Sequence, residues 1–306
     1  ATCIMALLFW LGFKWEQDMD NERGDKWVIL ISLVIGLSFG VHFMGLLVIP
    51  AIGMIYFFKK YPKPNLKNFI LANIFSVAIL LFIFKLLLPS TLGLFGYLEV
   101  FFVNTIGLPF DSGTIITAVL LIVFFVFSIR YTRKNNLYNI NTFLLCVMFI
   151  LIGFSSWLMI PIRSNANTVI NENSPSDARA LLAYYNLEQY PETHLFYGPM
   201  FSDAYAGQDS ENPYKDDKPK YERDEKTKKY FIVNDWESGK INSNSDHVGF
   251  LPRMWSSEHA VNYMNYFGLL EFTIKPEYLG ESNFKKLVND FKQSVIEGEI
   301  DAEGYH

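Results

Sequence analysis

Hydropathy divides this chain near residue 160. Before that point the sequence is a series of apolar runs separated by short polar breaks; after it, Asp, Glu, Lys, Asn and Tyr dominate. A helix needs about 20 apolar residues to cross a hydrocarbon core of about 30 Å. In lipid every backbone polar group must be satisfied internally, so each long apolar run reads as a helix. The whole-chain values, 51% hydrophobic and 17% aromatic, therefore average over two solvents, lipid first and water second.

The runs at 68–88, 114–129 and 142–160 read as one membrane span each, with Pro89 ending the first of them. The run at 27–58 is longer. As one helix it would measure about 48 Å, so it reads as two short membrane helices joined near Gly40 and His42, or as one strongly tilted helix. In the hairpin reading Gly36, Gly40 and Gly45 let the two arms pack closely. Residues 92–108, apolar and aromatic with three glycines, fall between two spans and read as a segment lying along the interface or dipping into it. The chain opens inside an apolar run and stops at Gly304-Tyr305-His306 with no closing element, and is read as a fragment of a longer protein. The expected organisation is a membrane domain over 1–160, with about five to six segments, and a water-exposed domain over 161–306.

Orientation follows from the basic loops. Residues 59–67 and 130–134 carry seven Lys and Arg and no acid, which marks both as cytoplasmic. Alternation then puts 90–113, with Glu99 and Asp111 and no base, on the far side, and the tail after Ile160 there too. Lys85 falls near the outer end of its span, where its stem can snorkel.

The tail reads as α+β. Residues 177–190 look helical, with Ser176 or Asp177 as N-cap and Pro191 as terminator. Residues 230–233 and 271–274 read as strands, 256–267 and 282–296 as helices with a Ser near each start. The charged stretch 209–229 reads as a solvated loop.

Several functions are excluded. A net charge of −5 without a Lys/Arg stripe offers nothing to nucleic acid. Cys3 and Cys146 lie in apolar segments and read as buried apolar thiols, with no second Cys or His at ligand spacing. No metal motif, phosphate-cradling loop or nucleophile elbow is present. The chemistry-bearing stretch is the junction: Pro161-Ile162-Arg163-Ser164-Asn165-Ala166-Asn167, then Asn171-Glu172-Asn173-Ser174-Pro175-Ser176-Asp177. Arg holds phosphate bidentately, and Asn amides suit sugar hydroxyls. The same residues also make a hydrogen-bonded linker before a helix. His42 is the one ionisable residue inside the run at 27–58, which makes it a functional candidate or a neutral packing imidazole. Arg253, just before a helix start, faces either an anion or a carboxylate partner.

The stretch Gly36-Leu37-Ser38-Phe39-Gly40-Val41-His42-Phe43-Met44-Gly45, running on to Pro50, and the Arg163-to-Asp177 signature resemble the protein O-mannosyltransferase-like proteins of glycosyltransferase family 117. The Asn-, Lys-, Ile- and Phe-rich composition resembles Bacteroidetes members. The resemblance implies a helical polytopic membrane domain of the GT-C type, present in part, with a small α+β extracytoplasmic domain. It implies sugar transfer from a polyprenyl-phosphate carrier to a protein Ser or Thr hydroxyl at the outer face of the inner membrane, with the bilayer, the lipid-linked sugar and an acceptor protein as partners. No other cofactor is assigned, and the divalent-metal requirement is left open. On this reading Arg163 and His42 contact the carrier phosphate, Asn165, Asn167, Glu172 and Asn173 line the sugar or acceptor site, and Arg253 joins the substrate-binding candidates. The general base, an acid in the first outer loop of such enzymes, is expected outside this chain. The rival reading is a non-enzymatic transporter or assembly factor with a periplasmic binding domain.

Overall fold

The computed structural model describes residues 1–21, 23–166, 168–171, 173–188, 190, 196–201, 209, 212–217, 219–234, 240–250, 254–267, 286, 289, 290 and 293. It separates into two compact units. One is Ala1–Tyr190 with Arg223–Tyr230; the other is Pro191–Glu222 with Phe231–His306.

The first unit is helical. Its elements are α1 (Thr2–Asp18), α2 (Asp25–Ser38), α3 (Val48–Lys60), α4 (Leu66–Leu81), α5 (Leu88–Phe101), α6 (Ser112–Lys134), α7 (Tyr138–Phe154), α8 (Met159–Asn165) and α9 (Ala178–Tyr185). Among the described residues, four continuous helical stretches are long and apolar enough to cross a membrane: Phe43–Lys60, Leu66–Ile106, Ser112–Lys134 and Tyr138–Asn165. Helices α1 and α2 are apolar but shorter. On α6 alone, Ile115, Val119, Ile122, Val123 and Phe127 are more than half exposed. So large an exposed apolar surface requires an apolar solvent, and the unit is membrane-embedded.

The run at 27–58 is broken, as the hairpin reading expects, by a turn at 39–42 and a 3₁₀ turn (Phe43–Leu47). Gly45 does pack against the first arm, where a Cβ would come within 2.6 Å of the Ser38 side chain, but Gly36 and Gly40 face another element. A Cβ on Gly36 would overlap the carbonyl oxygen of Ile150, and one on Gly153 would sit 2.6 Å from the Leu37 nitrogen. The close crossing is therefore between α2 and α7, backbone to backbone, as small residues permit in membranes.

Pro89 does not end its span. Helix continues from Leu66 to Ile106, through π-helical turns at Phe82–Leu87 and Phe102–Ile106. Residues 92–108 are thus mostly helix, and Lys85 lies mid-helix with its ammonium 5.2 Å from the Phe84 ring centroid. The physical reason is local. Pro89 has no N–H to give and would clash in an α-helical turn. The wider π turn carries the chain past it, with Leu88 N–H bonding the carbonyl of Ile83. In that register the carbonyl of Phe84 would await Pro89, and the hydroxyl of Tyr185 donates to it instead at 2.7 Å.

Tyr185 also explains why the short α9 belongs with the helices. Its ring lies 5.5–6.4 Å from those of Phe39, Phe43, Phe84, Phe154 and Trp157, and burial pushes its phenol well above the usual value. The unit therefore runs past the hydropathic division at 160. Cys146 is half-buried, but Cys3 is exposed on α1, on the same helix face as exposed Leu7 and Trp10.

In the second unit β1 (Tyr197–Pro199) pairs antiparallel with β6 (Val248–Phe250), and β2 (Tyr214–Lys215) with β5 (Lys240–Ile241). A small core joins Phe201 to Ala260 and Met264 of α10 (Ala260–Phe267), where a helix over 256–267 is expected. The charged stretch 209–229 is not a loop throughout. It contains β3 (Lys220–Asp224), which pairs with β4 (Lys229–Asn234). The turn between them is closed by Asp224, which accepts from Lys226 N–H at 2.9 Å and from the Thr227 hydroxyl at 2.7 Å. The tip, Arg223–Tyr230, belongs to the helical unit. Strand 271–274 and nearly all of helix 282–296 fall outside the described residues.

Candidate functional site

A cavity of about 320 Å³ opens in the helical unit, within the size range of small-ligand sites. Its apolar wall comes from Leu92 and Phe95 of α5, Leu121 of α6, and Leu151, Phe154 and Leu158 at the end of α7 and just past it. Its polar side holds Glu99, Asp111, Thr114, Asp177, Arg179 and Arg223.

Glu99 is the buried acid of the group, 4% exposed. One oxygen accepts from Asp111 N–H at 2.6 Å and from the Tyr230 hydroxyl at 3.2 Å. The other accepts from Thr114 N–H at 2.8 Å and from its hydroxyl at 3.1 Å. Asp111 and Thr114 start α6, whose first amides have no partner within the helix and whose dipole favours an anion there. Glu99 thus caps α6 from another helix. Asp111, the residue at the N-cap position, adopts φ 69° and makes no cap bond with its own side chain. Its carboxylate receives both terminal nitrogens of Arg223.

The hairpin tip is held at this rim. The Asn104 side chain donates to the Tyr230 carbonyl at 2.7 Å and accepts from its N–H at 2.8 Å, as a neighbouring strand would. The Tyr230 ring meets Phe110 edge-on at 5.1 Å and stacks under the Arg179 guanidinium at 4.4 Å. Burial, with the Glu99 charge in a lesser role, pushes the Tyr230 phenol up to about 12, against the opposing pull of Arg223 and Arg179. Arg179 runs over α5 at Gly96, where a Cβ would come within 2.6 Å of its Cγ, and reaches Asp177 at 3.5 Å. Asp177 caps α9, accepting from Arg179 N–H at 2.8 Å and Ala180 N–H at 2.9 Å.

Of the junction stretch, only Pro161, Ser176 and Asp177 reach this site among the described residues; the residues expected to bind substrate fall around it. Arg163 is exposed on the last turn of α8. Asn165 donates to the carbonyls of Pro161 and Ser176 at 2.8 and 2.9 Å, which ties the end of α8 to the start of α9. Asn173 and Ser174 form a left-handed turn, with φ 56° and 40°. His42 is exposed, its Nδ1 accepting from Met44 N–H at 3.1 Å as the cap of the 3₁₀ turn. None of Arg163, Asn165, Asn173, Ser174 and His42 lines the cavity. Asn167, Glu172 and Arg253 lie outside the described residues. Sequence reasoning missed Glu99, Arg179, Arg223 and Tyr230. A lone acid inside the apolar stretch 92–108 was the available signal for Glu99.

Two stretches match known families. Residues 1–65 match the protein O-mannosyl-transferase TMEM260 N-terminal domain. Residues 191–285 match a family of unknown function, DUF8416. No curated protein and no solved structure matches the chain. The protein is O-mannosyltransferase-like over its first 65 residues, a stretch that contains the Gly36-to-Pro50 half of the resemblance. The Arg163-to-Asp177 half lies in neither match. The second match begins at 191, where the second compact unit begins. Of the cavity residues, Arg223 alone falls in a matched stretch.

Proposed function

We propose that the protein is a lipid-carrier-dependent glycosyltransferase of the GT-C type, moving a mannose-type sugar from a polyprenyl-phosphate donor to a protein Ser or Thr hydroxyl. Transfer takes place at the outer face of the inner membrane, with the C-terminal residues extracytoplasmic. The observation that carries this reading is the cavity. It joins an apolar wall on membrane helices to a rim with two guanidiniums, a pairing that suits a prenyl chain ending in a phosphate. The TMEM260 match over 1–65 supports the reaction class. The positive-inside rule supports the side: the basic ends of α3 and α6 lie one membrane crossing away from the cavity-lining ends of α5 and α7.

In this reading Arg179 and Arg223 face the carrier phosphate from the cavity, and Arg163 and His42 face it from the exposed turns nearby. Asn165, Asn167, Glu172 and Asn173 face the sugar or the acceptor. Such transfer depends on positioning and on charge stabilisation of the departing phosphate. The test is mannose transfer from polyprenyl-phosphate-mannose to an acceptor peptide by the full-length protein. Arg179→Gln, Arg163→Ala and His42→Ala are each expected to reduce transfer roughly tenfold or more, the scale of a lost charge-assisted hydrogen bond. Undiminished rates in all three would remove the site assignment.

A further inference from the structure

The charges around the cavity are of two kinds. Glu99 is committed to α6 and Tyr230 through four hydrogen bonds, and Asp177 to the first amides of α9. Neither leaves without orphaning backbone donors. The Arg223–Asp111 pair is different. The Asp111 side chain is 60% exposed, that of Arg223 34%. Among the described residues the Asp111 carboxylate bonds to Arg223 alone. Arg223 has further supports that do not involve that carboxylate. Its Nε donates to the Tyr230 hydroxyl at 3.1 Å, and its guanidinium lies 5.3 Å from the Phe110 ring centroid and 5.7 Å from that of Tyr230. The guanidinium thus keeps its place when Asp111 turns to water, and Asp111 loses little by turning, being mostly hydrated already.

We propose that Arg223 selects an anionic lipid headgroup in this cavity, and that Asp111 is an exchangeable counter-ion which the incoming phosphate displaces. The terminal nitrogens that now hold a carboxylate as a fork present the same geometry to phosphate oxygens. The Leu92, Phe95, Leu121 and Leu158 side chains beside them favour an anion with an apolar tail over free phosphate. The selecting residue sits on the hairpin tip, in the stretch matched by DUF8416, whereas the apolar wall is built from the membrane helices. This inference rests on the carrier-site reading above.

The experiment measures binding of farnesyl phosphate, farnesol and inorganic phosphate to the full-length protein in detergent. The variants are Asp111→Asn, Arg223→Gln, Arg223→Lys and the double variant Asp111→Asn/Arg223→Gln. Wild-type protein is expected to bind farnesyl phosphate more tightly than either other probe. Asp111→Asn, which keeps the side-chain shape, is expected to bind it roughly two- to fivefold more tightly, the scale of a partly exposed ion pair. Arg223→Gln is expected to bind roughly tenfold more weakly, with Arg223→Lys between, because a lysine keeps the charge but not the fork. The Asp111→Asn gain is expected to vanish in the double variant. Weaker binding in Asp111→Asn, or a gain that persists without Arg223, overturns the exchange. Failure of wild-type protein to tell farnesyl phosphate from farnesol overturns the carrier-site reading itself. Inorganic phosphate bound as tightly as farnesyl phosphate overturns the lipid origin of the anion.

Discussion

Both ends of the helical unit carry charge, and they hold it differently. At one end, where α1 stops and α2 starts, Glu16 pairs with Lys59 at 3.1 Å, Asp18 with Lys26 at 3.0 Å, and Asp20 with Lys60. These are pairs of half-exposed side chains in which water competes for every partner. At the other end Glu99 is buried, its oxygens taken by two backbone amides and two hydroxyls, and the guanidiniums of Arg179 and Arg223 lie against aromatic rings. The first arrangement is easily rearranged, since each partner can be replaced by water. The second fixes geometry at Glu99, because removing that carboxylate leaves desolvated backbone donors.

Five experiments sharpen or break that contrast. The largest effect is expected at Glu99. Glu99→Ala leaves the Asp111 and Thr114 amides without their acceptor and is expected to destabilise the protein by about 3 to 5 kcal/mol. Thermal unfolding in detergent reads it, and a loss within 1 kcal/mol would end the claim that the cavity end is rigidly built. Tyr185→Phe removes the donor that replaces the missing N–H of Pro89, and is expected to lose about 1 to 2 kcal/mol while keeping the aromatic packing.

Tyr230 gives a pH test. Its folded value of about 12 lies above the unfolded phenol value of about 10. The folded state therefore holds this proton longer than the unfolded chain. The associated stability is complete below pH 10 and falls as the pH rises from 10 through 12. The ultraviolet titration of tyrosinate is expected to lose one late-titrating group in Tyr230→Phe; an unchanged titration would place the ring in water.

The smallest effects belong to the other end. A double-mutant cycle on Glu16 and Lys59 is expected to give under about 1 kcal/mol, falling with added salt. The hydrogen bond from Lys60 holds the Asp20 carboxyl below its usual value. Its contribution is therefore present above about pH 4 and lost as the pH falls through that lowered value. Hydrogen exchange in the α1–α2 turn reads this loss, and protection unchanged down to about pH 2 would contradict it.

The contrast also explains what was legible. The α6 and α7 spans, the basic breaks at 59–67 and 130–134, and the Asp177 cap of α9 are local. Composition or two to four neighbouring residues specify each. The hairpin over 220–234 was hidden because Lys220-Tyr221-Glu222-Arg223-Asp224 lacks apolar alternation; its turn chemistry and the docking of its tip make the strands. Pro89 looked like a terminator because a proline's conflict with an α-helical turn is local, while the π turn and the Tyr185 hydroxyl that resolve it are not.

By itself, then, the sequence determined the solvent of each region, the positions of most helices and the sign of each loop, since these follow from hydrophobicity and charge summed over short windows. Tertiary structure alone decided that Gly36 meets Gly153, that Tyr185 anchors the short α9 among membrane helices, and that Glu99, Arg179 and Arg223 share one cavity with Tyr230 bonded to Glu99 beside it. Those partners stand up to 131 residues apart. No local pattern marks them, because a buried charge becomes favourable only when its distant partners arrive together.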